Sequence, residues 1–171
     1  PGRHYDEGGR LAAAGTPIAP VVDRFLDDPW YAAPPPKSTG REKYDAAYVA
    51  SLLAACRDAA PASSVEDAVA TATELTARTL QEAYTRFVPA AVREVVLAGG
   101  GTRNPTLVRR IAAALPQRTV RIFDEVFFDA EAKEAVAFAY MGLQHLRGRP
   151  GNVPSATGAV GPRRLGVRTD P

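Results

Sequence analysis

The sequence has very little of the residues that form covalent cross-links or bind metals. It contains one cysteine, Cys56, and two histidines, His4 and His145. A single cysteine excludes an internal disulfide and any site built from several cysteines, and it is typical of a reducing compartment. Neither histidine has a second ligand at metal-binding spacing. The sequence therefore predicts no metal-binding residue.

Long apolar runs and a strong charge imbalance are also missing. No run approaches the roughly 20 apolar residues of a membrane span, and no signal peptide opens the chain. The formal net charge is only +2. The arginines near the C-terminus have no aromatic residues between them, whereas the basic surface of a nucleic-acid-binding protein often does. We therefore expect a soluble, cytoplasmic protein that binds neither nucleic acid nor membrane.

The size and the apolar content fit one compact body. The chain has 171 residues, of which 46% are hydrophobic and 23% are charged. These values are ordinary for a globular chain with a real core. The sequence predicts a single lobe over residues 1–171, in which residues 148–171 form a largely irregular tail.

A triple glycine lies between a predicted strand and a predicted helix. Residues 94–98 form a buried strand, Gly99, Gly100 and Gly101 follow, and Asn104 caps a helix that begins at the proline after it. Such a turn can bring backbone N–H groups to a phosphate. It can also be a tight turn whose glycines only permit positive φ. The spacing matches neither common phosphate motif, so both interpretations stand about equal.

The remaining elements follow from apolar periodicity and turn signals. A helix over 64–88 is expected to begin with a capping box of Ser63 and Glu66. A second strand is expected from Thr119 to Phe123. Further helices are expected at residues 9–14, from Ile18 to about Asp28, at 44–56, and at 130–147 with Asp129 as its cap and an apolar core stripe.

Two further places carry polar side chains with an open role. Lys37 and Arg41 lie in a stiff, proline-rich loop over residues 30–42. The loop is either an anion-facing or domain-clamping segment or a plain surface crossover, and spacing alone favours the crossover. Glu134 precedes the most apolar part of the last helix. It lies either on the solvated face, which is the usual case, or partly buried in a functional position.

Several segments together resemble the anhydro-N-acetylmuramic acid kinase family. Residues 35–42, Pro-Pro-Lys-Ser-Thr-Gly-Arg-Glu, are similar to a signature of that family and carry the most specific part of the resemblance. The other similar segments are residues 72–77, the glycines with Asn104, residues 124–125, residues 134–139, and Asn152 to Ala159. Ala98 stands where the family pattern has cysteine. The order of the segments holds across nearly the whole chain.

The resemblance implies an α/β fold: the helix-rich C-terminal lobe of an actin-like ATPase (ribonuclease H-like) fold. The N-terminal lobe, with its phosphate-binding hairpin and catalytic base, would lie outside these residues. Gly99, Gly100, Gly101 and Asn104 would then bind the nucleotide. Glu134 would bind the substrate, and the loop of Lys37 and Arg41 would support the nucleotide side, lock the lobes, or only form internal ion pairs, for instance with Glu42.

The implied reaction is unusual for a kinase. ATP with Mg²⁺ would phosphorylate O6 of 1,6-anhydro-N-acetylmuramic acid while water opens the anhydro ring, giving N-acetylmuramic acid 6-phosphate for cell-wall recycling. The 171 residues alone are then expected to be inactive. Partners would be the amino sugar, the N-terminal lobe and, left open, a second copy in a homodimer. The alternatives are a non-catalytic nucleotide-binding or subunit-interaction module, or another kinase of the same fold.

Overall fold

The computed structural model describes residues 5–40, 42–167 and 169. Two compact units divide these residues, the first running to Ile122 and the second beginning at Phe123. Each unit is described by itself.

The first unit is helix-rich and contains one small sheet. Its helices are α1 (Arg10–Ala14), α2 (Ala19–Leu26), α3 (Pro29–Ala32), α4 (Ala46–Ala59), α5 (Val65–Phe87) and α6 (Pro105–Ala114). Its strands are β1 (Glu94–Leu97) and β2 (Thr119–Ile122). A helix-rich α/β fold is therefore confirmed, and each element predicted in this unit is present with ends shifted by a few residues.

The two strands pair in parallel, with Glu94 opposite Thr119 and Leu97 opposite Ile122. A parallel pair needs a crossover, and α6 supplies it. Both strands therefore end at the same edge of the sheet, where β1 runs into the glycines. Ligands of open parallel sheets bind at this carboxyl edge.

Helix α5 is the longest element and begins with a capping box one residue later than the sequence suggested. The Ser64 hydroxyl accepts from the N–H of Asp67, and the Asp67 carboxylate accepts from the N–H of Ser64. The expected pair, Ser63 and Glu66, was wrong. Both serines have an acidic residue three positions later, but the Ser63 hydroxyl donates to the carbonyl of Cys56 at 3.5 Å, and Ser64 closes the box with Asp67. Asp67 also accepts from the N–H of Thr16 at 2.7 Å, which ties the segment between α1 and α2 to α5.

Two hydrophobic clusters form the core of the first unit, and α5 contributes to both. The first cluster joins α2, α4 and the N-terminal half of α5 through residues such as Val22, Leu52 and Leu75. The second joins the C-terminal half of α5 to α6 and the sheet through Ala77 and Ile111, among others. The glycine segment follows β1, whose Val95 is buried in the second cluster.

The second unit contains α7 (Phe123–Val126), α8 (Lys133–Leu146) and α9 (Pro154–Thr157). Asp129 is a cap, as expected, but of a short 3-10 turn that precedes α8. The expected core stripe of α8 is largely exposed among the described residues of this unit. Leu143 is 42% exposed and Leu146 is 71% exposed. The periodicity gave the helix correctly, but a stripe becomes core only where another element covers it.

Candidate functional site

The glycine segment forms an exposed turn between β1 and α6. Gly99 begins a short 3-10 turn, Gly100–Arg103, in which the carbonyl of Gly99 accepts from the N–H of Thr102 at 3.0 Å. The N–H of Asn104 donates to the carbonyl of Gly101 at 3.1 Å. The Asn104 side chain then caps α6 by accepting from the N–H of Leu107 at 2.9 Å. The predicted cap and the proline in the first turn of the helix are confirmed.

The outer face of this turn is open. A Cβ atom placed on Gly99 or on Gly100 would meet no other atom within 4 Å. Gly99 has φ +98° and ψ 178°, a conformation that side chains do not tolerate. One glycine is therefore needed for the backbone, and its neighbour leaves room for another molecule.

A segment near the N-terminus supports the turn from behind. A Cβ on Gly9 would lie 1.9 Å from Oδ1 of Asn104, so only glycine fits there. The buried hydroxyl of Thr106 donates to the carbonyl of Gly9 at 3.0 Å. Asp6 fixes the segment by accepting from the N–H groups of Leu11 and Ala12. Sequence reasoning missed this support, although the adjacent glycines at positions 8 and 9 were a signal for a tight contact.

An apolar groove of about 310 Å³ lies beside the glycine turn. Asn104 and Leu107 line it, and Leu107 Cδ2 is 3.4 Å from the position that a Cβ of Gly101 would take. Aliphatic residues of α4 and α5 form most of its wall, namely Val49, Leu53, Val65, Val69 and Ala72. Thr73 and Thr76 add hydroxyl groups. The groove was not predicted, because its residues come from three helices.

Lys37 makes internal contacts. Its ammonium group donates to the carbonyls of Trp30 and Tyr31, both at 2.8 Å. It also lies 4.6 Å from the centre of the Trp30 ring. Glu42 is not its partner, since the Glu42 carboxylate accepts from the N–H of Gly40 at 2.7 Å. Arg41 lies outside the described residues.

An ion pair and a cluster of tyrosines lie at the two ends of this loop, around α3 and the start of α4. Lys43 donates to Asp28 and thereby lowers the pKa of that carboxyl. Burial raises the pKa of Tyr31, and its hydroxyl lies 3.3 Å from that of Tyr44. Burial also raises the pKa of Tyr48. The hydroxyls of Tyr31 and Tyr48 therefore stay neutral at physiological pH.

Glu134 lies in the first turn of α8, in the second unit, and is exposed. The structure thus brings together the glycines and Asn104, whereas Glu134 belongs to a unit described separately.

No group of three or more potential metal-ligating side chains comes together within residues 5–40, 42–167 and 169. Over the same residues, none of the helices is both long enough and apolar enough to cross a membrane.

Comparison with known proteins gives one consistent family. The family model of anhydro-N-acetylmuramic acid kinase matches residues 1–171. A relative of that name from Cyanothece sp. is 46% identical over 156 residues, which cover 91% of this chain and 40% of the relative. Another from Xanthomonas oryzae pv. oryzae is 42% identical, over 97% of this chain and 42% of the relative. A third from Nitrosomonas europaea is 38% identical, over 97% and 44%.

The chain spans about two fifths of the length of the curated relatives it matches. The match extends over all segments that carried the sequence resemblance. The chain belongs to the anhydro-N-acetylmuramic acid kinase family.

Proposed function

We propose that this chain is the nucleotide-binding C-terminal lobe of a cytoplasmic kinase. The enzyme would transfer the terminal phosphoryl group of ATP to O6 of 1,6-anhydro-N-acetylmuramic acid while water adds across the anhydro bridge, and the products would be ADP and N-acetylmuramic acid 6-phosphate. Family membership supports the reaction. The observation that carries the nucleotide site is the open glycine turn at the carboxyl edge of the parallel sheet.

Gly99, Gly100 and Gly101 would line the phosphates of the nucleotide. Phosphates bind well where bare backbone N–H groups precede a helix N-terminus, because the donors and the helix dipole both favour negative charge. The turn is exposed and leads into the ten-residue helix α6. Asn104 would hold the turn against that helix through its cap. Gly9 and Thr106 would hold the glycine turn in a fixed position.

Mg²⁺ would arrive bound to the phosphates of ATP. Such ions are usually held by one or two carboxylates together with substrate phosphates rather than by a cage of protein ligands.

The other roles follow the family resemblance. The lobe would have the actin-like architecture, and the catalytic base would come from an N-terminal lobe. Glu134 would contact the sugar. Lys37 would hold its loop in place through the carbonyls of Trp30 and Tyr31, and the loop would support the nucleotide side or lock the lobes.

The first test replaces Gly100 by valine and titrates ATP by calorimetry. The new side chain has room in the free protein, so folding is retained while the approach of a phosphate is blocked. We expect at least a tenfold loss of ATP affinity. Gly142→Val is the matched control, because Gly142 is exposed and its Cβ position is also open. Unchanged ATP binding in the Gly100 variant would favour a purely structural turn and the non-catalytic alternative.

The second test measures ATP consumption with and without the anhydro sugar. We expect the isolated 171 residues to be inactive, and a protein that also carries the N-terminal lobe to consume ATP only when the anhydro sugar is present. Turnover by the 171 residues alone would contradict the assignment of the base to another lobe.

A further inference from the structure

We propose that a cavity at the amino edge of the sheet, lined by Arg93 and Arg118, binds the phosphate group of a small molecule. The cavity lies at the opposite end of the strands from the glycine turn, because Arg93 directly precedes β1 and the glycines follow that strand. The 4 residues of β1, about 13 Å of extended chain, separate the two places. This inference does not depend on the proposed function.

The cavity is large enough for a small molecule and has a basic wall. Its volume of about 490 Å³ lies within the range of small-molecule sites, roughly 300–1,000 Å³. Tyr84 and Leu115 contribute apolar surface, and Gln81 and Gln117 contribute amide groups. Among the described residues that line the cavity, none is acidic. The charged side chains of its wall are therefore all positive.

The two arginines lie opposite each other. Glu94 pairs with Thr119 in the parallel sheet, so the residues directly before them, Arg93 and Arg118, are neighbours across the two strands. Like charges in such positions repel each other. The carboxylate of Glu94 is paired elsewhere, since its Oε1 lies 3.7 Å from Nη1 of Arg121. An anion between the two guanidinium groups would relieve this repulsion.

Arg118 is held in place and still has free donors. Its Nη1 donates to the carbonyl of Val92 at 2.8 Å, and its Nη2 donates to the carbonyl of Val88 at 3.2 Å. Its guanidinium carbon also lies 5.0 Å from the centre of the Tyr84 ring. A guanidinium group has five N–H donors, so three remain after these two bonds. A group held in this way loses little side-chain entropy when it binds an anion.

Arg93 is exposed, and its side chain has no hydrogen bond or ion pair with the residues that the structure describes. Its guanidinium group can therefore close on a ligand without breaking an existing contact. Guanidinium groups suit phosphate oxygens, because each group can donate two parallel hydrogen bonds. One fixed and one free arginine together can hold a phosphate from two sides.

The ends of two helices lower the positive charge at the cavity but do not cancel it. Thr85 belongs to the last turn of α5, and Ala114 is the last residue of α6. Each helix C-terminus carries about half a negative charge, so the two offset about one of the two positive charges. The remaining charge of about +1 attracts a doubly charged phosphate more strongly than a singly charged carboxylate.

The test titrates inorganic phosphate into the isotope-labelled protein at constant ionic strength and follows the backbone amides of Gln117, Arg118 and Thr119 by NMR. We expect shifts that saturate in the wild type. Arg93→Gln should weaken phosphate binding roughly tenfold, because a charge-assisted hydrogen bond is lost. Arg93→Lys keeps the charge and should lose less. Arg57→Gln is the control, since Arg57 is an exposed arginine of α4 that does not line the cavity.

Any other result contradicts the proposal. Shifts that rise in proportion to phosphate without saturation would show only screening of the two charges. Equal binding of acetate and phosphate in the wild type would show that the cavity does not prefer a phosphate group. Unchanged binding in Arg93→Gln, or shifts confined to residues 99–101, would place the phosphate elsewhere. Circular dichroism should show no change of fold in Arg93→Gln, because the side chain has no described partner to lose.

Discussion

Gly99 is the residue at which the candidate site depends most on backbone freedom. Its φ of +98° with ψ of 178° lies in a region that is almost restricted to glycine. A Cβ there would touch nothing, so a side chain would cost energy only through the backbone. Gly100 has equal room and no positive φ. Substitutions at Gly99 and at Gly100 therefore distinguish the energetic cost of backbone strain from the effect of a side chain that fills the space at the turn.

We predict that Gly99→Ala lowers the free energy of unfolding by about 1–3 kcal/mol. The matched variant Gly100→Ala should change it by less than about 1 kcal/mol, because alanine fits that backbone. Urea unfolding followed by circular dichroism measures both values. Equal losses for the two variants would show that the backbone at Gly99 is not strained by a side chain.

At the residue scale, the sequence predicted the turn at the glycines and the Asn104 cap, but not the contacts that support them. Asn104 was identified as the cap because its chemistry is local and reads directly from the pattern asparagine then proline. The contact of Gly9 with Asn104 joins residues that are far apart in the chain, and no local rule reports such a pair. The same holds for the carbonyl partners of Lys37, which depend on how the loop folds back.

Helix α5 shows how one carboxylate can join two elements. Asp67 accepts from the N–H of Thr16 and from the N–H and hydroxyl of Ser64. These bonds, that from Thr16 first, lower the pKa of the Asp67 carboxyl. Thr71 strengthens the same junction, because its buried hydroxyl accepts from the N–H of Ile18 and donates to the carbonyl of Asp67.

The stability of this junction should depend on pH in the acid range. Because the pKa of Asp67 is lower in the folded state, its stabilisation is full above the unfolded-state pKa near 4 and is lost as the pH falls through the folded-state pKa. We predict that Asp67→Asn is less stable than the wild type at pH 7, and that the difference shrinks towards pH 3. Thermal unfolding at several pH values measures it.

Asp58→Asn serves as the control, because Asp58 is an exposed aspartate of α4. The free energy of unfolding of this variant should differ from that of the wild type by less than about 0.5 kcal/mol at pH 7. If the difference in stability between Asp67→Asn and the wild type is the same at pH 7 and at pH 3, the ionised carboxylate makes no contribution.

At the element scale, the sequence did not determine the exact residue at which a helix begins or whether an apolar stripe is buried. Two adjacent serines offered two capping boxes one residue apart, and the hydrogen bonds of Asp67 decided between them. The apolar stripe of α8 was equally clear in the sequence, yet Leu146 is exposed. The periodicity of a sequence shows which residues share one face of a helix, whereas the burial of that face depends on the elements that pack against it.

In the first unit, a single helix connects both clusters of the core. Leu75 is 5% exposed in the first cluster, and Ile111 is 4% exposed in the second. Because α5 passes through both, the loss of packing in one cluster weakens the support of the other. The glycine turn rests on the second cluster through β1 and α6.

We predict that Leu75→Ala and Ile111→Ala each cost about 2–5 kcal/mol of unfolding free energy. Both variants should unfold the first unit in one cooperative transition. Val65→Ala is the control on α5, since Val65 is 68% exposed and should change stability by less than about 0.5 kcal/mol. Urea unfolding followed by fluorescence and by circular dichroism measures the transitions. Two separate transitions would show that the clusters fold independently.

The hydrogen bond from Thr106 to Gly9 has a consequence for how the protein is made. Its two residues are 97 positions apart in the chain. At a synthesis rate of about 5–20 residues per second, the ribosome needs roughly 5 to 20 seconds after making Gly9 before it makes Thr106. Throughout that interval the segment around Asp6 has no partner in α6. The glycine turn is therefore completed late, by a segment made early.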